Sequence, residues 1–212
     1  RLEARDFSRV RIKFLIHRNG KQYQVKLETQ FPLNGIISIT ISGKDCSKIA
    51  IRHPAWSSGV KVKKNGREIF CERSESGYIL VDLDTQEINR IDLEFQMEPI
   101  VIAANRKISY DARKAAIIMG PLLYCFESID NGSEIEELGL YAQGELETKR
   151  NSIAGKEINT IYAKGTRRRE LEGDTLYGVY QEMKEDVKLT AIPYFLWNNR
   201  GEGEMKVWIP VE

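Results

Sequence analysis

Apolar and polar residues alternate with a period of two along most of the chain. Ile37, Ile39 and Ile41 alternate with Ser38, Thr40 and Ser42, and Ile91, Leu93, Phe95 and Met97 alternate with Asp92, Glu94, Gln96 and Glu98. Tyr23, Val25 and Leu27 enclose Gln24 and Lys26, and Met205, Val207 and Ile209 flank Lys206 and Trp208. Alternation of this kind places one face of a strand on a core and the other in water, as in antiparallel sheets. Turn chemistry separates the runs. Asn19-Gly20 and Asn65-Gly66 each sit between two strand patterns and predict two-residue hairpins of type I′. Phe31-Pro32 followed by Asn34-Gly35 predicts a sharp turn into a strand over 36–41.

No segment has the period of a long amphipathic helix. Glu134 to Leu140 allows one short helical turn, limited by Gly132, Gly139 and Gly144. Many short strands with regular turns predict an all-β chain of β-sandwich type. Composition shifts near residues 100–106 and again over 130–175. The second stretch is polar and carries Arg167-Arg168-Arg169, and reads as loops and exposed edge strands with a solvated arginine run.

Charge and composition exclude several classes. Lys and Arg number 32 against 31 Asp and Glu, a net charge of +1. Nucleic-acid binding needs an excess of positive charge to displace counterions, so none is expected. No apolar run reaches the roughly 18 residues of a membrane span. The opening Arg1-Leu2-Glu3-Ala4-Arg5-Asp6 has no apolar core of signal type, so no leader is expected among these residues, and compartment stays open. Three widely spaced cysteines, Cys46, Cys71 and Cys125, form neither a disulfide framework nor a C-x-x-C pair, and read as buried structural thiols. With only His17 and His53 as imidazoles, no metal or cofactor site is expected in this chain.

Three stretches exceed what a generic sandwich requires. They are Ile51-Arg52-His53-Pro54-Ala55-Trp56, then Met119-Gly120-Pro121-Leu122-Leu123-Tyr124-Cys125-Phe126-Glu127, then Ala191-Ile192-Pro193-Tyr194-Phe195-Leu196-Trp197-Asn198-Asn199-Arg200-Gly201 with Glu204-Met205-Lys206-Val207-Trp208. In this order they resemble the C-terminal region of the β-L-arabinofuranosidase family, glycoside hydrolase family 127, long known as a domain of unknown function. The family strings R-I-P-x-W, N-G, G-P-L-V-Y-C-x-E and I-P-Y-x-x-W-x-N-R-G-x-x-x-M-x-V-W match nearly in register. Thr29 to Gly35 is similar to T-x-Y-P-W-x-G, with Phe31 for Tyr and Leu33 for Trp.

The resemblance implies two jelly-roll-like β-sandwiches, the second inserted before the last strand of the first. Residues 1–100 plus 203–212 would then form the first and 101–202 the second. It also implies an N-terminal α/α-barrel, outside this chain, that carries a cysteine nucleophile, a glutamate acid/base and a zinc ion. Cys46, Cys71 and Cys125 do not fall at matching positions, so no catalytic role is carried onto them. The expected role is a non-catalytic scaffold or interface, with the barrel as partner, a homodimer as a further one, and a β-L-arabinofuranoside as substrate of the parent. The alternative is a carbohydrate-binding module.

A glycosidase needs two carboxylates about 5 to 10 Å apart. Glu127 and Asp130 invite that assignment, but three residues apart on an extended segment they would point to opposite faces. Glu127 is expected to cap a buried strand, and His53 to sit partly exposed at a strand end. The residues expected at an interface or sugar contact are Trp56, Tyr194, Trp197, Asn198 and Arg200, with Tyr180 and Trp208 as further aromatics.

Overall fold

In a computed structural model of the chain, the structure describes residues 10–18, 20–44, 46–84, 87–169, 176–179 and 183–212. The hairpin signal at Asn65-Gly66 is realised literally. Strand β5 (Val60–Lys64) returns as β6 (Arg67–Ile69), with Lys64 opposite Arg67. Asn65 and Gly66 both have positive φ, 50° and 82°, the backbone that a type I′ turn requires. At the other signal, β1 (Val10–Arg18) pairs with β2 (Lys21–Thr29) from Arg18 opposite Lys21 onwards. Asn19 itself lies outside the described residues, as do Tyr180 and the side chain of His17.

The chain divides into two compact units, Arg1–Glu98 and Pro99–Glu212. In unit 1, β3 (Ile36–Ser42) and β8 (Ile88–Phe95) lie at the centre of a six-stranded antiparallel sheet of order β1-β2-β3-β8-β5-β6. A second sheet consists of β4 (Lys48–Arg52) and β7 (Tyr78–Asp82). The alternating residues fill the space between them: Val25, Ile39, Ile41, Val62, Ile91, Leu93 and Phe95 from the large sheet meet Ile79 and Val81 from the small one. The turn before β3 has a cis Phe31-Pro32 bond. There Asn34 Oδ1 accepts from the Ile36 amide at 3.0 Å, and Gly35 lies so close to the Phe95 carbonyl that a Cβ would meet it at 2.1 Å, so only glycine fits.

Unit 2 contains β9 (Pro99–Ala103), β10 (Lys114–Met119), β11 (Leu122–Glu127), the single helical turn α1 (Ser128–Asn131), β12 (Leu138–Leu140), β13 (Glu147–Ile153), β14 (Lys156–Arg168), β15 (Lys184–Pro193), β16 (Met205–Lys206) and β17 (Ile209–Pro210). The expected helical turn near Glu134 is a 3-10 turn over Ile135–Glu137. The nine strands form one curled sheet with the path β12-β14-β15-β11-β10-β17. Its two ends meet: Leu140 and Val211 form a parallel bridge, and the Glu212 amide donates to the Leu140 carbonyl at 3.0 Å. Ile117, Tyr124, Phe126, Leu138, Leu140, Ile161 and Leu189 are among the fully buried side chains of this unit.

Both units are all-β, as the alternation predicts. Two local expectations change. Residues 203–212 do not rejoin the first sandwich, because β16 pairs with β11 and β17 with β10, inside unit 2. The polar stretch 130–175 is not all loop and edge either. It contains the 13-residue β14, held between β15 on one side and β12 and β13 on the other. Its buried positions lie on both faces and include Thr160, Gly165 and Thr166, which hid the apolar periodicity. Among the described residues no helix is long and apolar enough to cross a membrane.

Candidate functional site

Strand β11 ends at Glu127, where the chain turns helical for one turn, and Gly132 follows at φ 87° as its C-terminal stop. That turn changes the geometry expected for an extended segment. Residues three apart on a helical turn share a face, so Glu127 and Asp130 come to the same side and grip the same cation. Arg200 Nη1 donates to Asp130 Oδ1 at 2.9 Å, and its Nη2 donates both to Asp130 Oδ2 and to Glu127 Oε2. Glu127 is 5% exposed, and its Oε1 accepts from the Asn198 backbone amide at 2.9 Å. The hydrogen bonds to Asp130, against the opposing effect of burial, and then those to Glu127 hold the Arg200 guanidinium well above its ordinary value. Two carboxylates clamped on one arginine are an anchor and leave no free acid/base pair.

The rest of the turn reinforces this anchor. Asn131 Nδ2 donates to the carbonyls of Glu127 and Thr190, each at 2.9 Å, and its Oδ1 accepts from the Thr190 amide at 2.8 Å. Ser128 exchanges two bonds with Glu204: its amide donates to the Glu204 carbonyl at 3.0 Å, and its Oγ accepts from the Glu204 amide at 3.1 Å. The loop leaving β15 is therefore tied at Asn198, Arg200 and Glu204. Arg167, the first of the arginine run, donates to the Asn131 carbonyl, whereas Arg169 pairs with Glu185 at 2.6 Å. The run is thus split between an internal bond and the surface.

Between the ties, the loop faces two ways. Leu196 is buried, while Tyr194, Phe195 and Trp197 are 43%, 45% and 42% exposed. Tyr194 and Trp197 are stacked with ring centroids 6.1 Å apart and planes inclined by 23°. The positive φ of Asn198, 61°, turns its side chain out beside them, where it is exposed. The structure thus brings together Tyr194, Trp197, Asn198 and Arg200, three of them outward and Arg200 as the anchor beneath. Phe195, which the sequence also offers as a large apolar residue kept on a polar loop, completes the shelf. Its signal was present in the Tyr-Phe-Leu-Trp run, in which only one of four large residues is buried.

Trp56 belongs to unit 1 and has a different setting. It is half-buried, stacked on Phe31 at 6.2 Å and edge-on to Phe95 at 6.1 Å, which makes it part of a core. Trp208 is also half-buried. His53 is not the partly exposed residue expected: it is 7% exposed and edge-on to Phe95 at 5.8 Å, because the Pro54 turn directs its ring inward. The three cysteines are free thiols. Cys125 is buried and Cys46 and Cys71 are half-buried. Burial, then the Glu127 carboxylate, pushes the Cys125 thiol up to about 12, the opposite of an activated nucleophile. A cleft of about 560 Å³ on β14 and β15 is lined by Tyr141, Tyr162, Glu147, Asp186 and Lys188. The Lys188 and Lys149 ammonium groups already sit over the Tyr162 ring, at 4.2 and 5.6 Å, so a sugar cannot stack there unopposed.

Zinc is assigned by the family resemblance to the barrel. Among the described residues no three of His, Cys, Asp or Glu converge, and Glu127 and Asp130 are occupied by Arg200.

Residues 10–97 match the model of the β-L-arabinofuranosidase GH127 middle domain, and residues 99–210 match that of the glycoside hydrolase family 127 C-terminal domain. The chain belongs to glycoside hydrolase family 127. The boundary between the two matched family domains, at 97–99, coincides with the division between the two units. A non-reducing end β-L-arabinofuranosidase of Bifidobacterium longum subsp. longum is 28% identical over 198 residues, 87% of this chain and 30% of the relative. The crystal structure of a family 127 β-L-arabinofuranosidase from Geobacillus stearothermophilus is 28% identical, with a TM-score of 0.81 over 94% of this chain and 32% of its own. A further family 127 β-arabinofuranosidase structure, 22% identical with a TM-score of 0.77, covers 95% of this chain and 34% of its own and shows the likeness of fold. The chain thus spans about a third of the length of these relatives.

Proposed function

We propose that these two β-units are the non-catalytic scaffold and interface portion of a family 127 glycoside hydrolase that acts on β-L-arabinofuranosides or related sugars. The reaction belongs to an N-terminal barrel outside this chain, with any zinc in that barrel. The observation that carries the reading is the loop over 194–200. Three large aromatic side chains stand in solvent on a loop fixed from below by the Arg200 cluster. With 42–45% of each still exposed, docking buries roughly 60–110 Å² more per aromatic, at roughly 25 cal/mol per Å², so the shelf supplies several kcal/mol to a partner surface without ordering the loop first. The arginine-clamped carboxylates and the protonated Cys125 support a structural role over a catalytic one.

The test compares this chain with a longer polypeptide that includes the barrel, both assayed on an aryl β-L-arabinofuranoside. Turnover is expected from the longer polypeptide alone, and Trp197→Ala in it is expected to lower stability or activity. Turnover by the 212-residue chain defeats the reading. The second reading, a carbohydrate-binding module, is favoured by the stacked Tyr194–Trp197 pair beside Asn198. Binding of an arabinofuranoside oligomer by the isolated chain, abolished by Trp197→Ala, decides for it.

A further inference from the structure

The small sheet of unit 1 covers only part of the large one. Ile12, Phe14 and Ile16 of β1 stand opposite Leu27, Val25 and Tyr23 of β2. Cross-strand partners share a face, so all three point to the side on which Val25 is buried. Yet Ile12 is 47% exposed, Phe14 41% and Ile16 41%. Strand β7 lies toward the β5 end, where Lys64 Nζ donates to the Asp82 carbonyl at 3.0 Å. Strand β4 lies toward the β1–β2 end, and among the described residues it pairs with β7 along one edge only. Alongside it runs an open groove of about 660 Å³. Ile16 and Tyr23, with Val25 and Ile41 beneath, line it from the large sheet, and Cys46 to Ala50 with Leu80 of β7 line it from the small one.

An edge without a partner among the described residues, next to the exposed Ile12, Phe14 and Ile16, is a liability that folded proteins ordinarily blunt with proline, bulges or inward charges. The segment Lys48-Ile49-Ala50-Ile51-Arg52 carries no proline and pairs without a bulge. Its only charges stand at its two ends. This is the arrangement of an acceptor for strand addition, in which main-chain bonds give affinity and alternate side chains fill the groove.

We propose that this groove receives an extended strand from the same, longer polypeptide, which adds to the edge of β4 away from β7 and covers Ile12, Phe14 and Ile16. The inference rests on the reading of this chain as part of a longer glycoside hydrolase. Two observations select that occupant. The relatives are about three times as long as this chain, so such a polypeptide holds ample sequence outside it. A strand tethered in cis also needs only loop closure, whose entropy grows slowly with length. Among the described residues the outer edge of β1 is also without a partner, but addition there extends the large sheet and leaves the same face in water. A partner that pairs with the whole of β4 needs five residues, with apolar side chains alternating toward the groove.

The experiment is residue-resolved amide hydrogen exchange on this chain and on the longer polypeptide. The β4 amides that do not bond β7 are expected to exchange quickly in the chain alone and at least 100-fold more slowly in the longer polypeptide. A second, distant segment gains protection with them. Phe14→Lys is expected to lower the Tm of the longer polypeptide by several degrees and to leave that of the chain alone unchanged. Equal β4 exchange in both overturns the proposal. So does concentration-dependent protection of β4 in the chain alone with a dimer by light scattering, which gives the edge to a second copy. The readout does not involve catalysis. A longer polypeptide inactive on the sugar but protected at β4 sinks the functional reading and keeps this one.

Discussion

Arg200 and Asp130, 70 residues apart in sequence, meet as a two-pronged pair in which both terminal nitrogens of the guanidinium donate to the two carboxylate oxygens. Glu127 shares the second nitrogen. The pair converts a polar loop into a fixed support for the aromatic shelf. Arg200→Ala leaves Glu127 and Asp130 buried without their cation and is expected to cost about 3 kcal/mol. Arg200→Lys keeps the charge but loses the planar fork, and is expected to recover less than half of that. Urea unfolding of the three proteins measures both, and equal stability of wild type and Arg200→Ala contradicts the anchor.

Asn131 uses its side-chain amide three times, toward Glu127 and twice toward Thr190. Asn131→Ala strands two carbonyls and one amide in the interior, at a cost of about 2–3 kcal/mol. Asn131→Asp keeps the shape yet aims carboxylate oxygens at the Glu127 and Thr190 carbonyls, so it is expected to be no better. A thermal melt that ranks the aspartate variant with the wild type refutes this bonding scheme.

Cys125 holds its proton more tightly in the folded chain than in the unfolded one, its value rising from 9.0 to about 12. The stabilising contribution is therefore complete below pH 9 and is lost as pH climbs from 9 toward 12, by about 1.4 kcal/mol per pH unit. Burial raises the Tyr124 phenol in the same direction. Alkaline titration of stability is expected to fall less steeply in Cys125→Ala. A thiol reagent at pH 8 is expected to spare Cys125 until the chain unfolds.

Of the three tryptophans, Trp197 is the one on the exposed shelf, while Trp56 is packed against Phe31 and Phe95. Trp197→Phe is expected to remove most of the acrylamide-quenchable fluorescence and change stability by less than about 1 kcal/mol. Quenching that survives the substitution places the accessible indole elsewhere.

Much of the fold could be read from turn chemistry and alternation, and the failures are physical. Asn65-Gly66 announced its hairpin because both residues tolerate positive φ. The equivalent hairpin between β13 and β14 was hidden because Ala154 occupies a φ of 49°, where its Cβ is strained. Ala154→Asn is accordingly expected to stabilise by roughly 1 kcal/mol, read from a denaturation midpoint. Strand β14 escaped notice because it is buried in places on both faces, at Thr160, Gly165 and Thr166 as well as at apolar residues, which erases the alternation. Alternation over 205–209 predicted one strand, but the chain bends at Val207–Trp208 into the separate β16 and β17, and a pattern of period two does not name a neighbour, so the links to β11 and β10 were invisible. The shelf residues Tyr194, Trp197 and Asn198 were legible as a cluster of large side chains in a polar loop. The anchor was not, since Glu127 and Asp130 share a face only because the chain coils for four residues between them.

The bridge between Leu140 and Val211 has a consequence for synthesis. The ring of unit 2 needs residues 209–212 to join β12 to β10, and these are the last to leave the ribosome among the residues that build it. Until they emerge, the Lys114–Ala115 end of β10 and the edge of β12 away from β14 lack these partners, although Leu140 has been made some 70 residues earlier. At roughly 5–20 residues per second, that is several seconds of exposure, in which a nascent chain depends on chaperones to keep its neighbours off.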